Sequence, residues 1–173
     1  MKKVQYIVSF LIIAATLLIS CQKNKRTVTA DEIGTYAFNL LSNIENTTEQ
    51  EYIEHLYTFG ELRAYAKKNA DSLVDEMKQS IAVMTKDNYD ARSKRDLKTL
   101  KNSGASFQID WSTIEPVTFK YWPRAKNGIH SIKGDLYFTH NQENYKIIIT
   151  AFDTGDGFIV SKIENLQKIV EEK

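Results

Sequence analysis

Between Asp31 and about Leu100 the apolar residues recur at the three- and four-residue spacing of helices, and beyond about Gly104 they alternate with polar ones. Thr29 followed by Glu32 has the form of a capping box, and Ile33, Tyr36, Ala37, Leu40, Leu41 and Ile44 supply an apolar stripe, which predicts a helix from about Ala30 to Glu45. Thr48 with Glu51 repeats the signature ahead of Tyr52, Ile53, Leu56 and Tyr57, so a second helix is expected to end near Gly60. Leu62, Tyr65 and Ala66 predict a short third one. Asp71 opens a fourth, with Leu73, Met77, Ile81 and Met84 on one stripe, and Tyr89 to Leu100 reads as a fifth with Gly104 past its end.

After Gly104 the period becomes two. Phe107, Ile109 and Trp111 alternate with polar residues, as do Val117, Phe119 and Tyr121, and then Ile132, Leu136 and Phe138. Tyr145 to Phe152 is apolar on both faces and is placed centrally in a sheet, between the turns Asn141 to Asn144 and Asp153 to Gly157. Phe158 to Ile163 makes a last strand, with the tail from Leu166 left unassigned. Helices first and a meander of strands afterwards predict an α+β domain, with N-terminal helices packed on one face of a curved antiparallel sheet of about four to five strands. No internal repeat or low-complexity linker interrupts residues 31–173, so they form one domain.

The first residues follow neither pattern. Met1-Lys2-Lys3 is a short basic segment, Tyr6 to Ile19 is apolar but too short for the roughly 20 residues that span a bilayer, and the run ends in Leu18-Ile19-Ser20-Cys21. These four residues resemble the lipobox of bacterial lipoproteins. The resemblance implies that residues 1–20 are a signal peptide, that Cys21, the only cysteine, carries acyl chains after cleavage, and that residues 21–30 form a short tether. Gln22 after the cysteine resembles the pattern sorted to the outer membrane, and the basic Lys23-Asn24-Lys25-Arg26 differs from the acidic pattern of surface-exported lipoproteins. The expected location is the outer membrane of a bacterial cell envelope, facing the periplasm, with the membrane itself as a partner through Cys21. The basic tether residues suit contact with anionic headgroups or simple solvation.

Loss of Lys2 and Lys3 with the leader turns a formal charge of +1 into −1. A near-neutral chain has no global field for nucleic acid, which is not an expected partner.

The order of a long amphipathic helix, shorter helices and a sheet ending in Gly134-Asp-Leu-Tyr-Phe138, Tyr145-Lys-Ile-Ile-Ile-Thr150 and Gly157-Phe-Ile-Val-Ser-Lys-Ile163 resembles the nuclear-transport-factor-two-like class over roughly Asp31 to Ile163. A cystatin-like sheet wrapped on one helix is the alternative, although it needs fewer helices. The first resemblance implies a cone of helices and sheet whose mouth holds an apolar small ligand or another protein. Some enzymes of that class place an Asp or His base and a Tyr donor inside the cone. Asp110, His130, Asp135, Tyr121 and Tyr137 are the residues here that could converge in that way.

Other chemistry is poorly supplied. Phe152-Asp153-Thr154-Gly155 looks like an aspartic protease loop, but that reaction needs two aspartates sharing a proton and the sequence has one such triplet. The same loop lacks the alternating oxygen ligands and closing glutamate of an EF-hand. His55, His130 and His140 are scattered, without the spacing of a zinc site, and no cofactor motif occurs. His140, beside a turn, is expected to be solvated. Arg92, Lys94, Arg95, Lys98 and Lys101 form a basic cluster read as a solvated helix face. The aromatic stretch around Trp111, Tyr121 and Trp122, with His130, is the candidate ligand or partner surface, Trp122 falling on the opposite strand face from Phe119 and Tyr121. The expectation is thus a lipid-anchored envelope protein with a non-catalytic ligand- or protein-binding domain. A small hydrolase, isomerase or dehydratase, and an envelope assembly protein, are the alternatives.

Overall fold

The computed structural model describes residues 26–170, so the expected signal peptide and the expected lipidation at Cys21 lie outside the described residues. Among the described residues five α-helices precede four strands: α1 Ile33–Ser42, α2 Glu49–His55, α3 Phe59–Lys68, α4 Asp75–Val83 and α5 Lys86–Ser106, then β1 Glu115–Lys126, β2 Ile129–His140, β3 Glu143–Asp153 and β4 Phe158–Ile169. The class is α+β, with the helices ahead of an antiparallel sheet of order β1-β2-β3-β4.

Three threonine–glutamate pairs start helical segments. The N–H and hydroxyl of Thr29 donate to Glu32, those of Thr48 to Glu51, and those of Thr58 to Glu61, at 2.7–2.9 Å. The third pair runs through Gly60, which therefore lies in the first turn of α3 and does not end α2. Gly104 likewise lies inside the last turn of α5, and Asp71 precedes α4 without starting it.

Two hairpins turn on pairs of residues with positive φ, Asn127 and Gly128 (56° and 81°) and Asn141 and Gln142 (50° and 66°), the conformation that matches strand twist in a two-residue connection. Alternation then sorts each strand. Ile132, Gly134, Leu136, Phe138 and His140 are buried along β2, and Tyr145, Ile147, Ile149 and Ala151 along β3. Against this face pack Ile33, Ala37, Leu40 and Leu41 of α1, Tyr52 of α2 and Leu97 and Leu100 of α5. Fully burying a side chain of this size contributes about 1.5–3 kcal/mol, so this cluster is the main source of stability.

The helices do not all lie on that face. Ala151 pairs with Val160 in the main core, and the next pair along, Phe152 with Ile159, points the other way into a second cluster with Tyr57, Leu62, Leu73 and Ile81. α3 and α4 therefore cover one end of the opposite sheet face. The crossing is made at the edge of β4, where the Tyr57 N–H donates to the Val160 carbonyl at 2.8 Å. The last strand also runs beyond Ile163 to Ile169. Asn165 adopts a φ of 60° inside an irregularity of the β3–β4 pairing, and this break hides the strand's continuation from any reading by alternation.

The predicted strand from Phe107 to Trp111 is a reversal. Gln108 has φ 55°, the Ile109 N–H returns to the Gly104 carbonyl at 2.9 Å, and Trp111–Thr113 is a single 3-10 turn capped by Asp110. This folds the Trp111 indole over Gly104, where an added Cβ would overlap the ring. Gly60 has open space instead, its nearest neighbour being the Thr58 hydroxyl at 4.0 Å. Gly104→Ala is expected to cost about 1–3 kcal/mol through overpacking, whereas Gly60→Ala should gain about 0.5–1 kcal/mol. Urea unfolding midpoints of the two variants should move in opposite directions.

Candidate functional site

The four nominated contact residues do not come together. Trp111 is fully buried, tilted against Phe138 with ring centroids 5.9 Å apart, and has no surface to offer a ligand. The reversal after α5, which alternation cannot show, turns it into the core. His130 is exposed at the end of the sheet, opposite Ala125. Tyr121 and Trp122 are each 38% exposed and occupy opposite faces of β1.

The candidate acid–base residues are also dispersed. Asp110 is occupied as a cap, and hydrogen bonds from the Ser112 hydroxyl and N–H hold its carboxyl below the ordinary aspartate value. Asp135 and Tyr137 lie on the sheet face opposite the main core, Tyr137 beneath the Lys120 ammonium at 5.5 Å. His140 is buried and not solvated, its Nε2 accepting a hydrogen bond from the Asp110 N–H at 3.1 Å. The basic cluster of α5 is partly structural: Lys101 donates to the carbonyls of Glu45 and Thr47, and Lys94 pairs with Glu49 at 3.0 Å. Among the described residues no group of three or more His, Cys, Asp or Glu is placed to hold a metal ion.

The structure does build an open cleft between α1 and β1, of about 440 Å³. Phe38 from the helix, Pro116, Val117 and Phe119 from β1, and Leu136 from β2 give it an apolar lining, with Asp31, Thr35 and Asn39 on the helix side. Phe119 lies in a trough between two glycines. A Cβ on Gly34 would come to 2.5 Å from its Cβ, and one on Gly134 would come to 2.6 Å from its ring. The Phe119 ring stacks on Tyr121 at 5.5 Å, and the Tyr121 hydroxyl donates to Asp31 at 2.7 Å, tying β1 to the start of the helical segment. A glycine in the middle of an alternating strand is a signal of such a close approach, and Gly134, passed over in the sequence, is the residue that carries it.

A second concentration of interacting groups surrounds Arg26. Arg26 donates to the Glu54 carbonyl at 2.7 Å and forms an ion pair with Glu61. Nearby, the Tyr36 hydroxyl donates to the His55 carbonyl at 2.9 Å, and burial, aided by Arg26, holds the His55 imidazole below its ordinary value. A shallow groove of about 300 Å³ next to this cluster includes Tyr57, Glu61, Tyr65 and Lys68. Each of its shifted groups already has a structural partner: Glu61 closes the capping box of α3 and pairs with Arg26, and the Tyr57 hydroxyl bonds to the Glu61 carbonyl. The cluster is a clamp that holds the start of the domain against α2 and α3.

No protein-family model matches the chain, and neither the curated proteins nor the solved structures offer a match.

The clamp has a pH signature. Burial pushes the Glu61 carboxyl up, but hydrogen bonds from the Thr58 N–H and hydroxyl and from Arg26 outweigh it and hold the group below the ordinary value of 4.5. A carboxyl depressed in the folded state stabilises the protein above its unfolded value and loses that contribution as pH falls through the folded one. Glu61→Gln is expected to flatten the fall of the urea midpoint below about pH 4.5 relative to the parent chain, and equal slopes would remove Glu61 from this role.

Proposed function

We propose that the protein is a lipid-anchored envelope lipoprotein whose domain is a non-catalytic binding module with the α1–β1 cleft as its site. The anchor rests on the basic start, the short apolar run and Leu18-Ile19-Ser20-Cys21. The single observation that carries the binding role is an open cleft with one apolar wall, where solvent-facing Val117 stands beside a Phe119 stacked on Tyr121, set apart from Asp110, His130, Asp135 and His140. Chemistry on a substrate needs an acid or base within hydrogen-bond reach of the reacting atom. The titratable groups at the cleft are Asp31 and, beside it, Tyr121, and each is engaged by the other through the Tyr121 hydroxyl's hydrogen bond.

A space of this size falls within the range of small-molecule sites. The match of shape and polarity is to an apolar small ligand or to the apolar side chains of another envelope protein. Either would be held by removal of apolar surface from water, at about 25 cal/mol per Å². Asp31, Thr35 and Asn39 would orient a polar end.

Val117 is 58% exposed, so Val117→Asp places a charge in the cleft without touching the core. Binding of the neutral apolar dye Nile red is expected to weaken about tenfold in this variant, a loss of about 1.4 kcal/mol, while thermal stability stays within about 0.5 kcal/mol of the parent. Equal dye binding by both chains would overturn the cleft. For the anchor, Cys21→Ser should abolish incorporation of labelled palmitate in cells, and persistent labelling would overturn the lipoprotein reading.

A further inference from the structure

The sheet face turned away from α1 is not the neutral surface that the overall charge suggests. Strand register builds three ranks across all four strands on that face: Trp122, Lys133, Thr150 and Lys162; then Lys120, Asp135, Ile148 and Glu164; then Thr118, Tyr137, Lys146 and Gln167. Arg124 and Lys126 continue the same face at the end of β1, and Glu115 begins it. Six cations thus face three anions, a local excess of +3 on a chain whose formal charge is +1 with its leader and −1 without it. Lys162 is neutralised by Glu164 at 2.6 Å, and Lys120 lies over the Tyr137 ring. Arg124, Lys126, Lys133 and Lys146 take part in no salt bridge among the described residues.

We infer that this face docks on an anionic phospholipid surface. Charge complementarity is the first ground, because a row of cations close to a negative leaflet is drawn to it within a Debye length. Trp122 is the second. It stands 38% exposed among these cations, and an indole with an apolar body and a polar N–H suits the headgroup level of a bilayer.

The third ground is reach, and it rests on the lipoprotein reading. Arg26 is clamped to Glu61 at the start of α3, and α3 packs through Leu62 onto Phe152 and Ile159, which belong to this same sheet face. Five residue steps separate Cys21 from Arg26, which is at most about 18 Å of extended chain. An acylated Cys21 therefore keeps the edge of the basic face close to the bilayer. The electrostatic contacts would set the orientation of the domain, leaving the α1–β1 cleft on the far side of the sheet, open to the envelope space.

The test uses the full processed protein reconstituted in vesicles of phosphatidylcholine alone or mixed with phosphatidylglycerol, each containing lipids brominated on their acyl chains. The chain has two tryptophans. Trp111 is fully buried and serves as the internal reference, so quenching reports Trp122. The expected result is quenching in the phosphatidylglycerol vesicles, reduced severalfold in Lys133→Glu/Lys146→Glu and by high salt, and absent in Trp122→Phe. The milder Lys133→Gln/Lys146→Gln pair, with circular dichroism of every variant, separates lost docking from lost fold. Equal quenching in neutral vesicles, or none in anionic ones, overturns the inference. Retention on immobilised heparin without quenching overturns it in favour of a soluble polyanion. Mass spectrometry of the same sample reads the acyl groups independently: acylated protein without quenching leaves the lipoprotein reading standing, and quenching of protein without acyl groups supports the face while removing the anchor.

Discussion

The backbone bonding along the outer edge of β4 is the constraint on which the arrangement of the domain depends. A four-stranded sheet has two edges with unpaired N–H and C=O groups, and this one treats them differently. Val28 exchanges both of its backbone hydrogen bonds with Phe158 at 2.8 and 2.9 Å, Tyr57 donates to Val160, and α5 packs its Leu100 side near Ile163 and Leu166 along the rest of the strand. Because the chain touches this edge twice before the sheet has been made, it passes from the main core face to the opposite face and back. α1 and α2 are committed to one face and α3 and α4 to the other.

The other edge is left open but is protected from pairing. β1 carries Pro116 and Pro123, which have no N–H to offer, an irregularity at Val117 and the charged Lys120 and Arg124. Prolines, bulges and lysines are the usual means of discouraging the addition of a further strand. What β1 leaves accessible is therefore its two faces, the cleft on one side and the basic surface on the other. Tyr121 and Trp122 divide between them by strict alternation.

Much of this was legible in the residues. Alternation in β2 and β3 and the capping pairs at Thr29 and Thr48 act over a few residues, so their outcome is local. What could not be read depends on partners distant in the chain. Gly104 looked like a helix terminator, since nothing near it in sequence says that an indole from the next turn will occupy its face. Gly60 looked like a stop for the same reason, although Thr58 and Glu61 carried the signal of a new helix around it. Asn127-Gly128, a strong hairpin signal flanked by alternating residues, was available and marks the β1–β2 turn directly. The second core was hidden although Tyr145 to Phe152 reads as apolar on both faces, because nothing local says that Tyr57, Leu62, Leu73 and Ile81 will cover the second one. His140 was placed in water by its neighbouring turn, whereas the need of the Asp110 N–H for a buried acceptor decides its position.

The site was legible to a smaller degree, because the features that matter there are absences of side chain. Gly34 and Gly134 let Phe119 settle between a helix and a strand, and two glycines 100 residues apart show no relation until the sheet is assembled. The distribution of shifted protonation equilibria then argues about chemistry. Burial raises the phenols of Tyr52, Tyr57 and Tyr89, the last to about 12, and hydrogen bonds lower the carboxyls of Glu51, Glu61 and Asp110. These groups serve a core, a cap or the Arg26 clamp, whereas the Tyr121 phenol, raised by its hydrogen bond to Asp31, stands beside the α1–β1 cleft. Perturbed groups gather at active sites when a protein is built to move protons. Here most of the perturbation has gone into holding the helices and the start of the domain in place, and at the cleft it reports the Tyr121–Asp31 bond that ties β1 to the helical segment.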